Sequence, residues 1–150
     1  PTNTFGPNDN YDELNSHFIP ALIRKVHDIK LNKKKQLSLW GNGLAKREVL
    51  YVNDLADACV FFMNKKIKEP LINIGSGKDY SIKYYAELIL KILIPEKKIK
   101  ITLDKTKPNG TPRKVLNISL AKKYGWKPKI NLKVAIWETY KDYIKKQSKY

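Results

Sequence analysis

Cysteine and histidine are scarce in this sequence. Its 150 residues include one cysteine, Cys59, and two histidines, His17 and His27. A single cysteine excludes an internal disulfide framework and a cysteine-rich zinc site, and two histidines cannot form a three-histidine metal centre. No apolar run approaches the roughly 20 residues that a membrane-spanning helix needs, and no secretion signal opens the sequence. We therefore expect no bound metal, no membrane span and a cytoplasmic location.

Motifs for dinucleotide binding and for nucleophilic catalysis are also missing. The segment 75–77 (GSG) resembles the start of a dinucleotide loop, but Tyr80 stands where the third glycine of G-x-G-x-x-G belongs. The sequence has no G-x-x-x-x-G-K-[ST] phosphate loop and no Tyr-x-x-x-Lys pair. Its serines have no evident triad, because His17 and His27 are the only candidate bases. The chain therefore lacks a self-contained cofactor-binding motif.

Acidic residues and arginine are both few. Lys and Arg total 30 against 14 Asp and Glu, which gives a formal net charge of +16. A field of that sign attracts polyanions, so a basic nucleic-acid-binding module is one alternative. However, Arg24, Arg47 and Arg113 are the only arginines, and proteins that read bases favour the bidentate arginine fork. The lysine clusters at 33–35, 65–66 and 97–98 are also scattered along the chain, which favours a lysine-rich solvated surface over a nucleic-acid interface.

Hydrophobic periodicity predicts an α/β protein of short strands and about four helices, with no repeat and no long linker. Helical patterns cover approximately residues 15–31, 53–63, 81–92, 119–124 and 132–144, and strand patterns cover 36–40, 47–52, 71–74 and 99–103. Asn15 or Ser16 is the predicted cap of the first helix, and Asn53 with Asp54 that of the second. Cys59 falls on the apolar side of its helix and is predicted to lie in the core.

Six segments carry the informative motifs. Segments 1–10 (PTNTFGPNDN), 46–56 (KREVLYVNDLA) and 73–77 (NIGSG) together resemble the extended short-chain dehydrogenase/reductase family of nucleotide-sugar epimerases and dehydratases. Segments 15–25 (NSHFIPALIRK), 39–43 (LWGNG) and 107–114 (KPNGTPRK) narrow the resemblance to the GDP-L-fucose synthases within that family. The motifs occur in the family order and span nearly the whole chain.

The resemblance implies a fold and an activity. Residues 1–150 would form the C-terminal, nucleotide-sugar-binding part of an extended short-chain dehydrogenase/reductase whose N-terminal Rossmann half is missing. The complete enzyme would be a homodimer that uses NADPH to convert GDP-4-keto-6-deoxy-D-mannose to GDP-L-fucose by 3,5-epimerisation and 4-reduction. The missing half would bind most of the NADP, so this part alone is expected to be inactive.

The resemblance also assigns roles to residues near the cofactor. By the resemblance, His17 is the acid/base of the epimerisation and lies near the nicotinamide. Imidazole in general titrates near neutrality, which suits proton transfer beside a ketone. Pro1, Thr2, Asn3 and Thr4 match the segment that meets the nicotinamide end of NADP. From local features alone, His17 could equally be a capping or surface residue, and His27 has no motif support and is expected on the surface.

Five residues are implied substrate ligands by the same resemblance: Lys25, Trp40, Arg47, Asn109 and Arg113. The planar fork of Arg47 matches a diphosphate. Local features leave other roles open: Lys25 could be a solvated lysine, Trp40 a core residue and Arg113 a brace for its loop. Asn109 stands where relatives often carry aspartate.

Two interpretations compete with this assignment. The chain could belong to another nucleotide-sugar epimerase or dehydratase, such as a 4-epimerase or a 4,6-dehydratase. It could be a basic nucleic-acid-binding module, which explains the charge and none of the motifs. A third possibility, a truncation with no independent role, is compatible with the assignment.

Overall fold

The computed structural model describes residues 1–12 and 15–148, which contain five helices and six strands. The helices are α1 (Phe18–Leu31), α2 (Val52–Met63), α3 (Ile82–Leu93), α4 (Ser119–Lys123) and α5 (Leu132–Gln147). The strands are β1 (Asn3–Phe5), β2 (Gln36–Trp40), β3 (Lys46–Tyr51), β4 (Asp79–Ser81), β5 (Lys100–Asp104) and β6 (Arg113–Lys114). The predicted α/β class is confirmed, and the five helices correspond to the five helical patterns of the sequence.

Strand β3 organises the larger sheet because it pairs with different strands along its length. Its last three residues pair in parallel with β1, from Asn3 opposite Val49 onwards. Its first three residues pair antiparallel with β4, and Arg47 lies between Tyr80 of β4 and Lys114 of β6. Strand β3 thus joins the amino-terminal segment to β4 and to β6, which directly follows residues 107–112, here called loop 107–112.

Strands β2 and β5 form a separate parallel pair. Gln36 lies opposite Lys100 at its start, and Trp40 lies opposite Asp104 at its end. Side chains along β2 alternate between exposed and buried, with Leu37 and Leu39 pointing inward, as expected for a strand with one solvated face. Trp40 is therefore on the solvated face at the carboxyl end of the pair.

The main core is built from α1, α3, α5 and the inward faces of β2 and β3. Helix α1 buries Ile19, Leu22, Ile23, Val26 and Ile29, each at most 4% exposed. Their helical spacing puts them on one face, and burial of each such side chain contributes about 1.5–3 kcal/mol. This packing fixes the start of α1, where the predicted catalytic histidine lies.

The predicted caps of the first two helices are wrong. His17, not Asn15 or Ser16, occupies the N-cap position of α1, and its side chain makes no capping hydrogen bond. Helix α2 begins at Val52, directly after β3, so Asp54 lies inside its first turn. The buried carboxylate of Asp54 instead accepts the backbone N–H groups of Lys129 (2.9 Å) and Ile130 (3.2 Å).

Three further expectations fail on packing. No strand forms at 71–74. This segment is joined to the amino-terminal segment by a backbone hydrogen bond from Thr2 N to the Ile74 carbonyl (3.0 Å). Cys59 is exposed rather than in the core, because α2 buries only Asp54 and Ala58. His27, expected on the surface, is half-buried, and its Nδ1 lies 3.1 Å from the Tyr140 hydroxyl.

Candidate functional site

The turn after β2 packs against loop 107–112 and hydrogen-bonds to it at the carboxyl end of the β2–β5 pair. Gly41 has a positive φ of 64°, and its N–H donates to the Asp104 carbonyl (2.8 Å). A Cβ on Gly41 would lie 2.4 Å from Asn109 Oδ1, so the loop packs against the bare glycine. The same Asn109 oxygen accepts the N–H of Asn42 (2.8 Å). The side chain of Asn109 therefore holds its own loop against the turn.

Arg47 lies beneath the same loop. Its Nη1 donates to the carbonyls of Thr111 (2.6 Å) and Lys46 (2.7 Å), and its Nη2 lies beside Gly110. Among the residues that the structure describes, Nη2 and Nε have no hydrogen-bond partner. Arg47 is half-buried, so its orientation is fixed while two donors stay available to an anion.

Trp40 presents its ring to solvent beside this loop. The residue is 60% exposed, although tryptophan usually packs inside. The ammonium group of Lys107 lies 5.6 Å from the ring centroid, which is within the range of a cation–π contact. The exposed indole therefore carries a cation over its ring.

Arg113 is engaged with an acid. Its Nε and Nη2 donate to the two carboxylate oxygens of Asp79, at 2.7 and 3.0 Å. The hydrogen bond from Arg113 lowers the pKa of Asp79, and the same contact raises the pKa of Arg113. The pair ties β6 to β4. Of the two roles that the sequence leaves open, the structure therefore displays the bracing one, and substrate contact by Arg113 stays a prediction.

Helix α1 carries His17 and Lys25, eight residues apart and so about 12 Å apart along the axis. The imidazole of His17 is exposed. Phe18 packs edge-on against Tyr85, at 5.4 Å between centroids, and the buried Tyr85 hydroxyl donates to the Arg47 carbonyl (2.8 Å). This contact ties the start of α1 to strand β3. Lys25 Nζ reaches the Ser38 carbonyl (3.4 Å), two residues before Trp40.

Besides the pairing of β1 with β3, side chains of the amino-terminal segment bind the Glu48 carbonyl of β3. Thr2 Oγ1 (3.3 Å) and Asn3 Nδ2 (3.0 Å) both donate to the backbone oxygen of Glu48. Thr4 Oγ1 donates to the Thr2 carbonyl (3.2 Å), and Pro1 is exposed. The segment predicted to meet the cofactor is thus held in place by the residue next to Arg47.

Comparison with known proteins decides the family. Residues 1–75 match the NAD dependent epimerase/dehydratase family. This chain belongs to that family. GDP-L-fucose synthase 1 of Arabidopsis thaliana is 43% identical over 145 residues, which are 97% of this chain and 44% of that protein. GDP-L-colitose synthase of Yersinia pseudotuberculosis is 38% identical, over 99% of this chain and 48% of that protein.

A solved structure agrees with the family assignment. The crystal structure of a GDP-L-fucose synthetase from Naegleria fowleri bound to NADP is 25% identical, with a TM-score of 0.84, and the match covers 99% of this chain and 46% of that one. The expected fold class, an α/β part of an extended short-chain dehydrogenase/reductase, is confirmed. The chain spans about half the length of the relatives it matches.

Within this epimerase/dehydratase fold, the predicted substrate residues fall into groups. Trp40, Arg47 and Asn109 meet around the turn at 41–43 and loop 107–112. Lys25 joins that group through β2. His17 connects to it through Phe18 and Tyr85. Arg113 lies next in sequence to the loop but turns its guanidinium to Asp79.

Glu48 is the organising residue that the sequence prediction missed. It is fully buried, and its carboxylate accepts the N–H groups of Gly77 (2.6 Å) and Leu116 (2.7 Å) and the Ser76 hydroxyl (3.4 Å). A Cβ on Gly75 would lie 2.3 Å from Glu48 Oε1. One sequence feature could have identified Glu48: it is an acid in a largely apolar strand, next to one of the few arginines. A buried acid needs hydrogen-bond donors, so an acid in such a strand predicts contacts of this kind.

The contacts of Glu48 also account for the glycine pair at 75–77. Because Gly77 N–H and the Ser76 hydroxyl point at Glu48, they are not available to a dinucleotide phosphate.

In residues 1–12 and 15–148, no group of three His, Cys, Asp or Glu side chains is placed to hold a metal ion. No helix in those residues is both long and apolar enough to cross a membrane.

Proposed function

We propose that residues 1–150 form the nucleotide-sugar-binding domain of a GDP-L-fucose synthase. The full-length enzyme would convert GDP-4-keto-6-deoxy-D-mannose to GDP-L-fucose by 3,5-epimerisation and 4-reduction. The observation that carries the proposal is Arg47, which is fixed under loop 107–112 with Nη2 and Nε unpaired among the described residues, while Lys107 of the same loop contacts the exposed ring of Trp40. A planar guanidinium suits a diphosphate, and an exposed indole suits a flat ring.

His17 is the proposed acid/base of the epimerisation. The C4 ketone of the substrate makes the protons on C3 and C5 acidic, because the carbanion is delocalised as an enolate. An exposed imidazole at the fixed start of α1 can exchange a proton with one of these carbons. Lys25, whose ammonium reaches β2 near Trp40, would add a point charge for the substrate.

NADPH is the proposed cofactor of the full-length enzyme, as the NADP-bound Naegleria relative supports. The glycine segment 75–77 does not fit its phosphates, because Glu48 accepts the Gly77 N–H and the Ser76 hydroxyl. Only Pro1, Thr2, Asn3 and Thr4, with His17, are proposed to approach its nicotinamide end. The greater part of the NADPH-binding site would lie outside this chain.

We further propose that the full-length enzyme is a cytoplasmic homodimer. Light scattering would test the dimer, and cell fractionation would test the location.

Isothermal titration of this chain with GDP tests the proposed site. Replacement of Arg47 with Ala removes a charge-assisted interaction worth about 1.5–3 kcal/mol in total, so GDP affinity should fall about 10- to 100-fold. Arg47→Lys keeps the charge and loses the fork, and should give an intermediate loss. Lys122→Ala removes one exposed charge from α4 and should leave GDP affinity unchanged.

Two results would count against the proposal. Equal GDP affinity of the Arg47→Ala and Lys122→Ala proteins, both with unchanged circular dichroism, would remove Arg47 from the site. Tighter binding of UDP than of GDP by the unmodified chain would favour another nucleotide-sugar epimerase or dehydratase. Competition between GDP-linked 6-deoxy and 3,6-dideoxy sugars would separate a fucose synthase from a colitose synthase, to which the chain is also similar.

A further inference from the structure

Two lysine clusters that are far apart in the sequence meet at one end of the molecule. Segments 32–35 and 94–100 hold six lysines and a single acid, Glu96: the lysines are Lys33, Lys34, Lys35, Lys97, Lys98 and Lys100. The N–H of Lys100 donates to the Lys35 carbonyl (2.9 Å), and Lys97 Nζ reaches the Lys30 carbonyl (3.1 Å). We call these six lysines the basic end. The parallel pairing of β2 and β5 brings them together, because both segments lead into the start of a strand.

The charges of the basic end are not neutralised within the chain. Five of its lysines are exposed and Lys97 is half-buried. None of the six has a carboxylate within 4.0 Å among the residues that the structure describes. Like charges at this density repel one another and concentrate counterions, and a polyanion that displaces those counterions gains free energy.

A shallow groove leads away from the basic end along α3. It has a volume of about 560 Å³, and Lys83, Lys91, Lys97 and Lys98 line it with aliphatic side chains from α3 and β5. One acid on its wall, Glu87, lies 3.9 Å from Lys83. A concave, lysine-lined surface can follow a linear chain of phosphates, whereas a flat bilayer cannot enter it. Leu31 is the one large hydrophobic of segments 28–35 and 94–100 that is exposed in the structure, which provides little for lipid insertion.

We infer that the basic end and its groove bind the phosphate backbone of nucleic acid without reading its bases. Neither part of this surface contains arginine or an aromatic side chain, so bidentate base contacts and base stacking are absent. The basic end is separate from the proposed GDP-sugar site, because it lies at the start of β2 and β5 and Trp40 lies at the other end of β2, about 13 Å away along the strand. The groove extends from the basic end towards the turn at 41–43, since the N–H of Lys83 donates to the Gly43 carbonyl (3.0 Å).

Matched charge reversals test this inference on the chain itself. The first variant carries Lys34→Glu, Lys35→Glu and Lys98→Glu at the basic end. The control carries Lys65→Glu, Lys66→Glu and Lys122→Glu on exposed parts of the chain far from it in sequence. Each variant lowers the formal net charge from +16 to +10. The probe is a fluorescein-labelled, mixed-sequence DNA duplex, followed by anisotropy over a range of salt concentrations.

The first variant should bind the duplex about tenfold or more weakly at low salt than the unmodified chain does. Its plot of log K against log salt should become shallower by about 0.9 for each phosphate that it no longer neutralises. The control variant should stay close to the unmodified chain. Equal weakening in both variants would overturn the inference, because net charge alone would then explain binding. Binding to phosphatidylserine vesicles without binding to the duplex would overturn it as well.

GDP titration keeps this test distinct from that of the proposed function. The basic-end variant should bind GDP as the unmodified chain does, and the Arg47→Ala protein should bind the duplex as the unmodified chain does. Circular dichroism of every variant confirms that the fold is intact. A chain that binds the duplex and not GDP would refute only the proposed function, and the reverse would refute only this inference.

Discussion

At the residue scale, the buried Glu48 holds together the segments next to Arg47 in the proposed GDP-sugar site. Its two carboxylate oxygens accept the backbone N–H groups of Gly77 and Leu116, and its carbonyl accepts the side chains of Thr2 and Asn3. The strand neighbour of Arg47 therefore connects three segments that are distant in sequence. Since both oxygens are acceptors, an amide at this position would place an N–H₂ group against a donor.

Glu48→Gln should therefore lower the free energy of unfolding by about 1–3 kcal/mol, the cost of leaving a buried donor without an acceptor. Urea denaturation followed by circular dichroism measures the change. Glu87→Gln is the control, because Glu87 is exposed and its pair with Lys83 at 3.9 Å contributes well below about 1 kcal/mol. Equal midpoints for the two variants would show that the Glu48 contacts do not stabilise the fold.

His27 predicts a pH dependence with a defined sign. Burial against Tyr140 and Tyr143 lowers its pKa below the ordinary 6.5. Between the folded pKa and 6.5, the unfolded chain binds more protons than the folded one, so stability falls as pH drops below 6.5. Urea midpoints on both sides of pH 6.5 should show this loss. His27→Gln should reduce the slope. The same slope in the unmodified and His27→Gln proteins would contradict the assignment.

At the element scale, the turn at 41–43 explains how loop 107–112 is placed. Gly41 and Gly43 both have positive φ, at 64° and 69°. A Cβ on Gly41 would collide with Asn109 Oδ1 at 2.4 Å, whereas a Cβ on Gly43 would meet its nearest atom at 3.4 Å. Alanine at either position bears the cost of a left-handed residue, about 1 kcal/mol. Only at Gly41 must the loop also move.

Gly41→Ala should therefore weaken GDP binding, because displacement of loop 107–112 removes the Thr111 carbonyl that orients Arg47. Gly43→Ala is the matched control and should bind GDP like the unmodified chain while losing a similar amount of stability from its backbone. Calorimetric titration and urea denaturation of both variants separate the two effects. Equal GDP affinities would show that the turn does not position the loop.

Element lengths explain which parts of the fold could be predicted. The 14-residue α1 shows four turns of periodicity, so the sequence predicted its apolar face and, to within three residues, its bounds. Strands β4 and β6 have three and two residues, too few for alternation to be visible. Segment 71–74 is apolar enough to predict a strand, but strand formation depends on partners that composition does not report.

The site was predictable to a different degree. Motif similarity selected Trp40, Arg47 and Asn109 without knowledge of their contacts, and the fold then brings them to one turn and loop. Resemblance could not distinguish the bracing role of Arg113, because its partner Asp79 is 34 residues away in sequence. The organising role of Glu48 depends on backbone donors, which every residue except proline carries and which therefore leave no sequence signal.

At the scale of the whole molecule, the proposed function predicts that this chain binds a GDP-sugar without catalysing its reduction. The proposed GDP-sugar site is built from elements that the chain contains, from α1 to loop 107–112. The glycine segment 75–77 is occupied by Glu48, and the sequence holds no Tyr-x-x-x-Lys pair. The chain should therefore bind GDP and yet fail to reduce a GDP-4-keto sugar with NADPH.

The loss of NADPH absorbance with time in the presence of a GDP-4-keto-6-deoxy sugar measures this directly. The Arabidopsis relative, which is more than twice as long as the matched region, serves as the active control under the same conditions. NADPH consumption by the chain alone would contradict the prediction and require a cofactor site formed within these 150 residues. If the chain instead binds GDP without consuming NADPH, it should also compete with the Arabidopsis enzyme for substrate, and the inhibition should disappear in the Arg47→Ala protein. Residues 1–150 would then be sufficient to bind the substrate, and its reduction would require residues outside this chain.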